Sequence, residues 1–300
     1  MPAFSIRITW FELIKRTIRE FIADDCLSLA AQMAYYFFLA LFPAVLFLLA
    51  LASFFPLQNV AADLGEVLGP FVSGQVLSLI QDQMRRLGDA DSGGLLTLGV
   101  LGALWSSSAA MVAIVSSLNK AYDLTERRPW WKVRLVAIGL TTALGVFLLL
   151  SLWLILVGPT IATYLGQTVG LGAVFEWTWK VLQWPVAFLL VVTALALVYY
   201  VGPDADQSWV WVSPGAVVGT IVWMVSSLGF KYYIANFTDY NAAYGAVGGV
   251  IVLLLWFYVS GVAILIGAEM NAEMEHASPY GRTPGNRSAP ATPPKLAPAR

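Results

Sequence analysis

The chain has 300 residues, of which 59% are apolar and only 12% charged, and its formal net charge is −1. Soluble domains carry about 25% charged residues, so in water this composition would expose large apolar patches; a bilayer solvent removes that demand. The near-zero net charge excludes a broad basic surface for nucleic acid, and a single cysteine, Cys26, excludes an internal disulfide and a CxxC metal or redox pair.

The first residues, MPAFSIRITW, lack the apolar core of a cleavable signal peptide and run into a charged helix. Insertion is therefore expected to be directed by an uncleaved span. Residues 1–26 read as a cytoplasmic amphipathic helix. Phe4, Ile8, Phe11, Ile14, Ile18 and Phe21 recur every three or four residues, with Arg7, Lys15, Arg16 and Arg19 on other faces. That pattern suits an in-plane helix on the cytoplasmic leaflet.

Residues 27–277 read as a six-helix transmembrane domain. A helix needs about 20 mostly apolar residues to cross the bilayer core, and six stretches qualify, at approximately 27–55, 95–118, 135–157, 181–201, 215–235 and 247–270. Pro43 interrupts the first at mid-depth and Pro185 lies near the start of the fourth. Pro214 is positioned for the first turn of the fifth. Between spans one and two, Val60, Leu64, Val67, Leu68 and Phe71 form one apolar stripe; Val76, Leu77, Ile80, Met84 and Leu87 form another. These predict two short amphipathic helices. Gly99, Ala103 and Ser107 in span two, and Gly215 and Gly219 in span five, recur every fourth residue and mark faces where helices approach closely. Residues 278–300 are polar and rich in proline, the composition of a disordered cytoplasmic tail. The fold class is all-α membrane protein: six transmembrane helices, an N-terminal in-plane amphipathic helix, and short amphipathic helices between spans one and two.

Of the 17 Lys and Arg, 13 fall before span one, between spans two and three, or in the C-terminal tail; only Arg85, Arg86, Lys180 and Lys231 fall on the other side. The positive-inside rule places both termini in the cytoplasm.

Ionisable groups within spans are costly, so they are the first candidates for function. Glu269 sits near the cytoplasmic end of span six, with Glu273 one turn later and Glu275 beyond, where negative charge opposes the helix dipole. Their expected partners are Arg127, Arg128 and Arg134, or Lys15, Arg16 and Arg19. A structural clamp is one reading of Glu269; a proton- or cation-coupling carboxylate is the other. Lys231 falls near the outer surface, snorkelling or meeting Asp239, with an anionic headgroup as the alternative. Arg127, Arg128, Trp130 and Trp131, with Lys132 and Arg134, suit interfacial anchoring or a lipid headgroup. The hydroxyls of Ser106, Ser107, Ser108, Ser116 and Ser117 are expected to bond across helices or back to their own carbonyls. Tyr35 and Tyr36 upstream of Pro43 either bound a cavity at a kink or flank a static bend.

The segments DDCLSLAAQMAYYFFLALFPAVL, WSSSAAMVAIVSSLNKAYD, SPGAVVGTIVW and YGAVGGVIVLLLWFYVSGVAILIGAEMNAE together resemble the bacterial YihY/BrkB family of inner-membrane proteins, once labelled ribonuclease BN. The likeness rests on Asp25, Ala30, Ala31, Ala34, Tyr35, Tyr36, Phe42 and Pro43, then Trp105, Leu118, Asn119 and Ala121. It continues through Pro214, Gly215, Ala216 and Trp223 to Tyr244, Gly245, Trp256, Tyr258, Gly267, Ala268, Glu269 and Asn271. It covers roughly residues 5 to 275. One departure is the turn Gly202-Pro203-Asp204, where the family commonly shows a Pro-Asn pair. The resemblance implies a six-helix protein of the bacterial inner membrane, without a defined activity.

Two functions fit these features. One is transport or handling of an envelope lipid or small solute; the other is a non-transporting scaffold or assembly factor for envelope machinery. Membrane lipids are the expected partners, with an envelope protein or a second copy as further ones, and no nucleic acid. Phosphodiester hydrolysis needs a metal cluster or an acid/base pair in an aqueous site. The one histidine, His276, adjoins the tail, so a ribonuclease is rejected; the chain is read as no enzyme, with no catalytic, cofactor-binding or metal residues.

Overall fold

The computed structural model describes residues 8–52, 93–169, 172–207, 209–236, 239–278 and 281. Among them there are seven helices and no strand. They are α1 Trp10–Ala23, α2 Cys26–Ala52, α3 Gly93–Ala121, α4 Trp130–Val169, α5 Gly172–Val201, α6 Trp209–Asn236 and α7 Asp239–His276. All but α1 are long and apolar enough to cross a membrane. The stripes expected to form helices between spans one and two lie outside the described residues, as does most of the tail.

Helix is the expected outcome because lipid offers backbone groups no partners. α1 starts where the Thr9 hydroxyl accepts from the Glu12 N–H at 3.3 Å, satisfying an amide that the first turn leaves open. It stops at Asp24, and Asp25 takes a left-handed φ of 53°. α3 stops in the same way at Asp123, φ 54°. Aspartate is among the few residues besides glycine that adopt this conformation readily, so α2 follows α1 after only two residues.

The fifth span lies where expected, at Pro214–Ile234, but its helix starts earlier. α6 begins at Trp209, which puts Pro214 inside the helix rather than at its first turn. A proline there lacks the N–H and crowds the preceding turn. The next amide, Gly215, donates to the Asn271 Oδ1 at 2.7 Å.

The described residues fall into two compact units. In the first (1–39, 109–140 and 192–300), α6 packs along α7, and α1 packs on α7 through Leu13 against Met270 and Met274, with Ile8 and Val218 at the edge. Glycine sets the spacing. A Cβ on Gly215 would collide with the Gly267 carbonyl and the Asn271 side chain, and one on Gly267 with the Gly215 carbonyl and the Tyr199 hydroxyl. Gly261 lies against Ala30, where a Cβ would come within 3.2 Å of the Ala30 Cα. The expected close approach at Gly215 and Gly219 is thus made onto α7, with Tyr199 beside both Gly219 and Gly267. Phe37 meets Phe257 edge-on, and the Trp223 Nε1 donates to the Ser260 Oγ at 3.1 Å.

In the second unit (40–108 and 141–191), hydroxyls bond back into their own helices. Ser107 donates to the Leu104 carbonyl at 3.1 Å, Ser108 to Trp105 at 2.8 Å and Ser151 to Phe147 at 2.8 Å. Those are local bonds, in which each hydroxyl hydrogen goes to a carbonyl of its own helix.

Candidate functional site

The buried polar side chains of the first unit gather where α1 hands over to α2, α3 meets its following loop, and α7 ends. Glu269 is 1% exposed on α7. Its partner is the Cys26 thiol at the first residue of α2, which donates to the Glu269 Oε1 at 3.2 Å. The Asp24 carboxyl is a direct neighbour, and Asp123 and Glu273 add further negative charge. Among the described residues Glu269 makes no ion pair. Three of the expected arginine partners pair with other acids: Arg16 with Glu12 at 3.2 Å, Arg19 with Glu20 at 2.8 Å, and Arg128 as described below. Burial raises the Asp24 carboxyl above its ordinary range; Asp123 and Glu20 add to the rise, while Lys120 and a hydrogen bond with Glu269 oppose it.

A second cluster joins the loop after α3 to the loop after α5. The Arg128 guanidinium donates to both Glu126 oxygens, at 2.8 and 2.7 Å, and to the Gly202 carbonyl at 2.8 Å. It also lies 3.8 Å from the Asp204 Oδ1, and Asp204 is 2% exposed. Asn119, buried at the end of α3, accepts from the Asp204 N–H at 2.7 Å and donates to the Glu126 Oε2 at 2.8 Å. The Arg127 N–H donates to the Asp204 Oδ2 at 3.2 Å. Burial raises Glu126, but hydrogen bonds from Arg128 and Asn119 and the Arg128 charge outweigh it, leaving the carboxyl below its ordinary value. Glu126 in turn raises Arg128, against burial and together with the Asp204 charge. The loop after α5 is tied down further by Gln207, whose amide donates to the carbonyls of Tyr199 and, at 3.3 Å, Tyr200.

Asn271 is 1% exposed and spans from α7 to the Gly215 N–H of α6. Tyr199, also buried, donates to the Ile264 carbonyl at 2.6 Å.

Of the residues singled out in the sequence, Glu269, Asn271 and Glu273 fall on one stretch of α7, with His276 3.9 Å from Glu273. Arg128 joins the second cluster. Trp130 and Trp131 are exposed at the start of α4, with the Lys132 ammonium 5.4 Å from the Trp131 ring centre. Tyr35 and Tyr36 stack edge-on at 5.6 Å and are 57% and 42% exposed. Lys231 is exposed near the end of α6; the Asp239 side chain lies outside the described residues. Cys26, Asp24, Glu126, Asp204 and Tyr199 were not singled out for these roles. Cys26 and Asp24 stand beside the Asp25 of a recognised segment, and Asp204 stands in the departing turn, so only position hinted at them.

Six apolar helices with polar groups buried among them define a multi-pass α-helical membrane protein. The chain belongs to the BrkB family: the family model described as "Virulence factor BrkB" matches residues 17–292. It is similar to the "Putative ribonuclease-like protein YfkH" of Bacillus subtilis (strain 168), 36% identical over 86% of this chain and 94% of the relative. It is also similar to UPF0761 membrane proteins of Rhodospirillum centenum (26% identical, 87% of this chain) and Xanthomonas campestris pv. campestris (27% identical, 85% of this chain). The chain spans 57% and 59% of those two relatives. No solved structure matches it.

Proposed function

We propose that this chain handles or transports an envelope lipid or small solute across or within the bacterial cytoplasmic membrane, and that Glu269 is its proton- or cation-coupling carboxylate. Both termini lie in the cytoplasm in this reading, supported by the bias of Lys and Arg. One observation carries it: a carboxyl 1% exposed within a membrane span has a thiol and another carboxyl as neighbours, and makes no ion pair among the described residues. A clamp would set a cation against that acid, because an uncompensated charge in a low dielectric costs several kcal/mol, roughly 3–5 when a buried pair is broken. An acid kept there without a cation is a place for a proton or a cation to come and go.

The test is mass spectrometry of everything that accompanies the protein when it is extracted in a native lipid patch, for wild type and Glu269→Gln. A specific lipid or metabolite retained by wild type and lost from a stable Gln variant supports the reading and names the molecule for a flux assay. Bulk lipid alone, with one envelope protein recovered in fixed ratio, replaces it with a scaffold. A C-terminal reporter active only outside the cytoplasm would overturn the orientation.

A further inference from the structure

α1 carries more apolar surface than α7 covers. Leu13 and Thr17 are buried, with Leu13 against Met270 and Met274 of α7. Trp10, Phe11, Ile14, Ile18 and Ile22 are exposed. At 100° per residue these five fill an arc of about 120°, beginning beside the buried strip and ending at Ile22. The stripe of Phe11, Ile14 and Ile18 legible in the sequence is therefore turned away from α7, and a narrower strip seats the helix.

The charges along this arc have one sign. Lys15 and Arg19, both exposed, border its far edge, about 20° and 60° past Ile22. The two acids of α1 are each taken by an arginine: Glu12 pairs with Arg16, and Glu20 with Arg19. Lys15 makes no ion pair among the described residues. The Arg19 pair lies on the surface, where such pairs contribute little, so its guanidinium is free to exchange one oxygen anion for another.

The course of the chain indicates what covers the arc. Two residues separate α1 from α2, a helix able to cross a membrane. That link reaches only about 10 Å, which keeps α1 near the surface where the span begins. Residues 53–92 leave from the opposite end of α2, about 40 Å of helix away, and the second unit takes up α2 only from residue 40. The tail after residue 281 is polar and carries Arg282, Arg287, Lys295 and Arg300 without an acid, so it complements neither the arc nor its cationic border. An apolar arc edged by cations matches the boundary between acyl chains and headgroups in an anionic leaflet. In the same unit, Trp130 and Trp131 are exposed at the start of α4, a residue type concentrated where spans meet headgroups.

We propose that the exposed face of α1 is a docking surface for anionic phospholipid. Trp10, Phe11, Ile14, Ile18 and Ile22 sink to the acyl boundary, Lys15 and Arg19 take lipid phosphates, and Leu13 holds the helix on α7. The in-plane position expected from the sequence thereby gains a defined face and a lipid charge, and neither depends on what Glu269 binds.

The experiment follows amide hydrogen exchange of α1 by mass spectrometry on the full chain. Nanodiscs of phosphatidylcholine alone are compared with discs of phosphatidylcholine and phosphatidylglycerol in equal parts. α1 should exchange about tenfold more slowly in the anionic discs, and added salt should shrink the difference. Lys15→Glu combined with Arg19→Glu should abolish it. Should that variant fail to fold, Ile18→Cys bearing a nitroxide gives a second reading: in anionic discs the label should be relaxed by oxygen rather than by a water-soluble nickel complex. Equal exchange in the two kinds of disc, or a label reached equally by the nickel complex, overturns the proposal. Protection that persists in neutral discs but disappears at one copy per disc assigns the face to a second copy, and protection lost on removing residues 282–300 assigns it to the tail. Either result replaces lipid as the occupant.

Discussion

Around Arg128, two carboxylates share one guanidinium, and Asn119 and backbone amides take up the remaining lone pairs. Around Glu269, carboxyls are brought together with a thiol, and the exposed Lys120 acts on Asp24 without an ion pair among the described residues. Both clusters belong to the same compact unit, and both gather residues far apart in the chain. The first satisfies nearly every polar group it buries, which is how a network holds two loops in one arrangement. The second gathers carboxyls beside a thiol, and among the described residues Glu269 has no ion pair, which stability alone does not favour. In the proposed reading, the contrast separates a cluster kept for structure from one kept for what it binds.

Removing the cation from the first cluster should have the largest effect. Arg128→Ala removes the guanidinium that Glu126 and the buried Asp204 share, and a loss of about 3 kcal/mol is expected, read as a lower midpoint of unfolding in detergent. A loss below about 0.5 kcal/mol would class the network with ordinary surface pairs and remove the contrast. Asn271→Ala strands the Gly215 N–H between two closely packed helices, and about 2 kcal/mol should be lost. Glu269→Gln keeps the shape of the side chain, and its effect on unfolding should stay within about 1 kcal/mol, while retention of the bound molecule is abolished. If it destabilises as much as Arg128→Ala, Glu269 is a clamp and the two clusters are of one kind.

The smallest effect is on pH dependence, and the two clusters should pull in opposite directions. Asp24 is raised in the folded protein, so its contribution is fully present below its unfolded value and is lost as pH rises through its folded value. Glu126 is lowered, so its contribution is present above its unfolded value and lost as pH falls through its folded one. Asp24→Asn should therefore raise the melting temperature slightly at pH 7 and have no effect at pH 3, whereas Glu126→Gln should lower it at pH 7 and lose its effect in strong acid. Melting curves from pH 7 to pH 3 would show whether the two variants diverge in this way; parallel curves would mean that neither carboxyl senses its neighbours.

Much of the architecture was legible before any coordinates. Each of the six apolar stretches corresponds to a helix able to span a membrane, and the spacing of Gly215 and Gly219 announced a close helix contact. The partner of that contact was not legible, since small residues permit approach without naming the neighbour. Pro214 misled for a related reason. Its residue type suited a helix start, but the helix had already begun five residues earlier, with Asn271 receiving the amide that follows. At Glu269 the sequence found the residue and missed its surroundings: an arginine was the natural partner for an acid, yet the thiol that meets it is 243 residues away. Tyr35 and Tyr36 were noticed for their nearness to Pro43, whereas their exposure depends on how that helix is rotated.

The sequence alone determined that this is a membrane chain, how many times it can cross, and where its costly charges lie. Those properties add up residue by residue along the chain, through the transfer of side chains and backbone from water to lipid. Only the tertiary structure decided which charges are paired and which glycine faces which helix. Pairing depends on the rotation and register of helices packed at van der Waals distance, where a difference of 100° turns a side chain from a partner toward lipid.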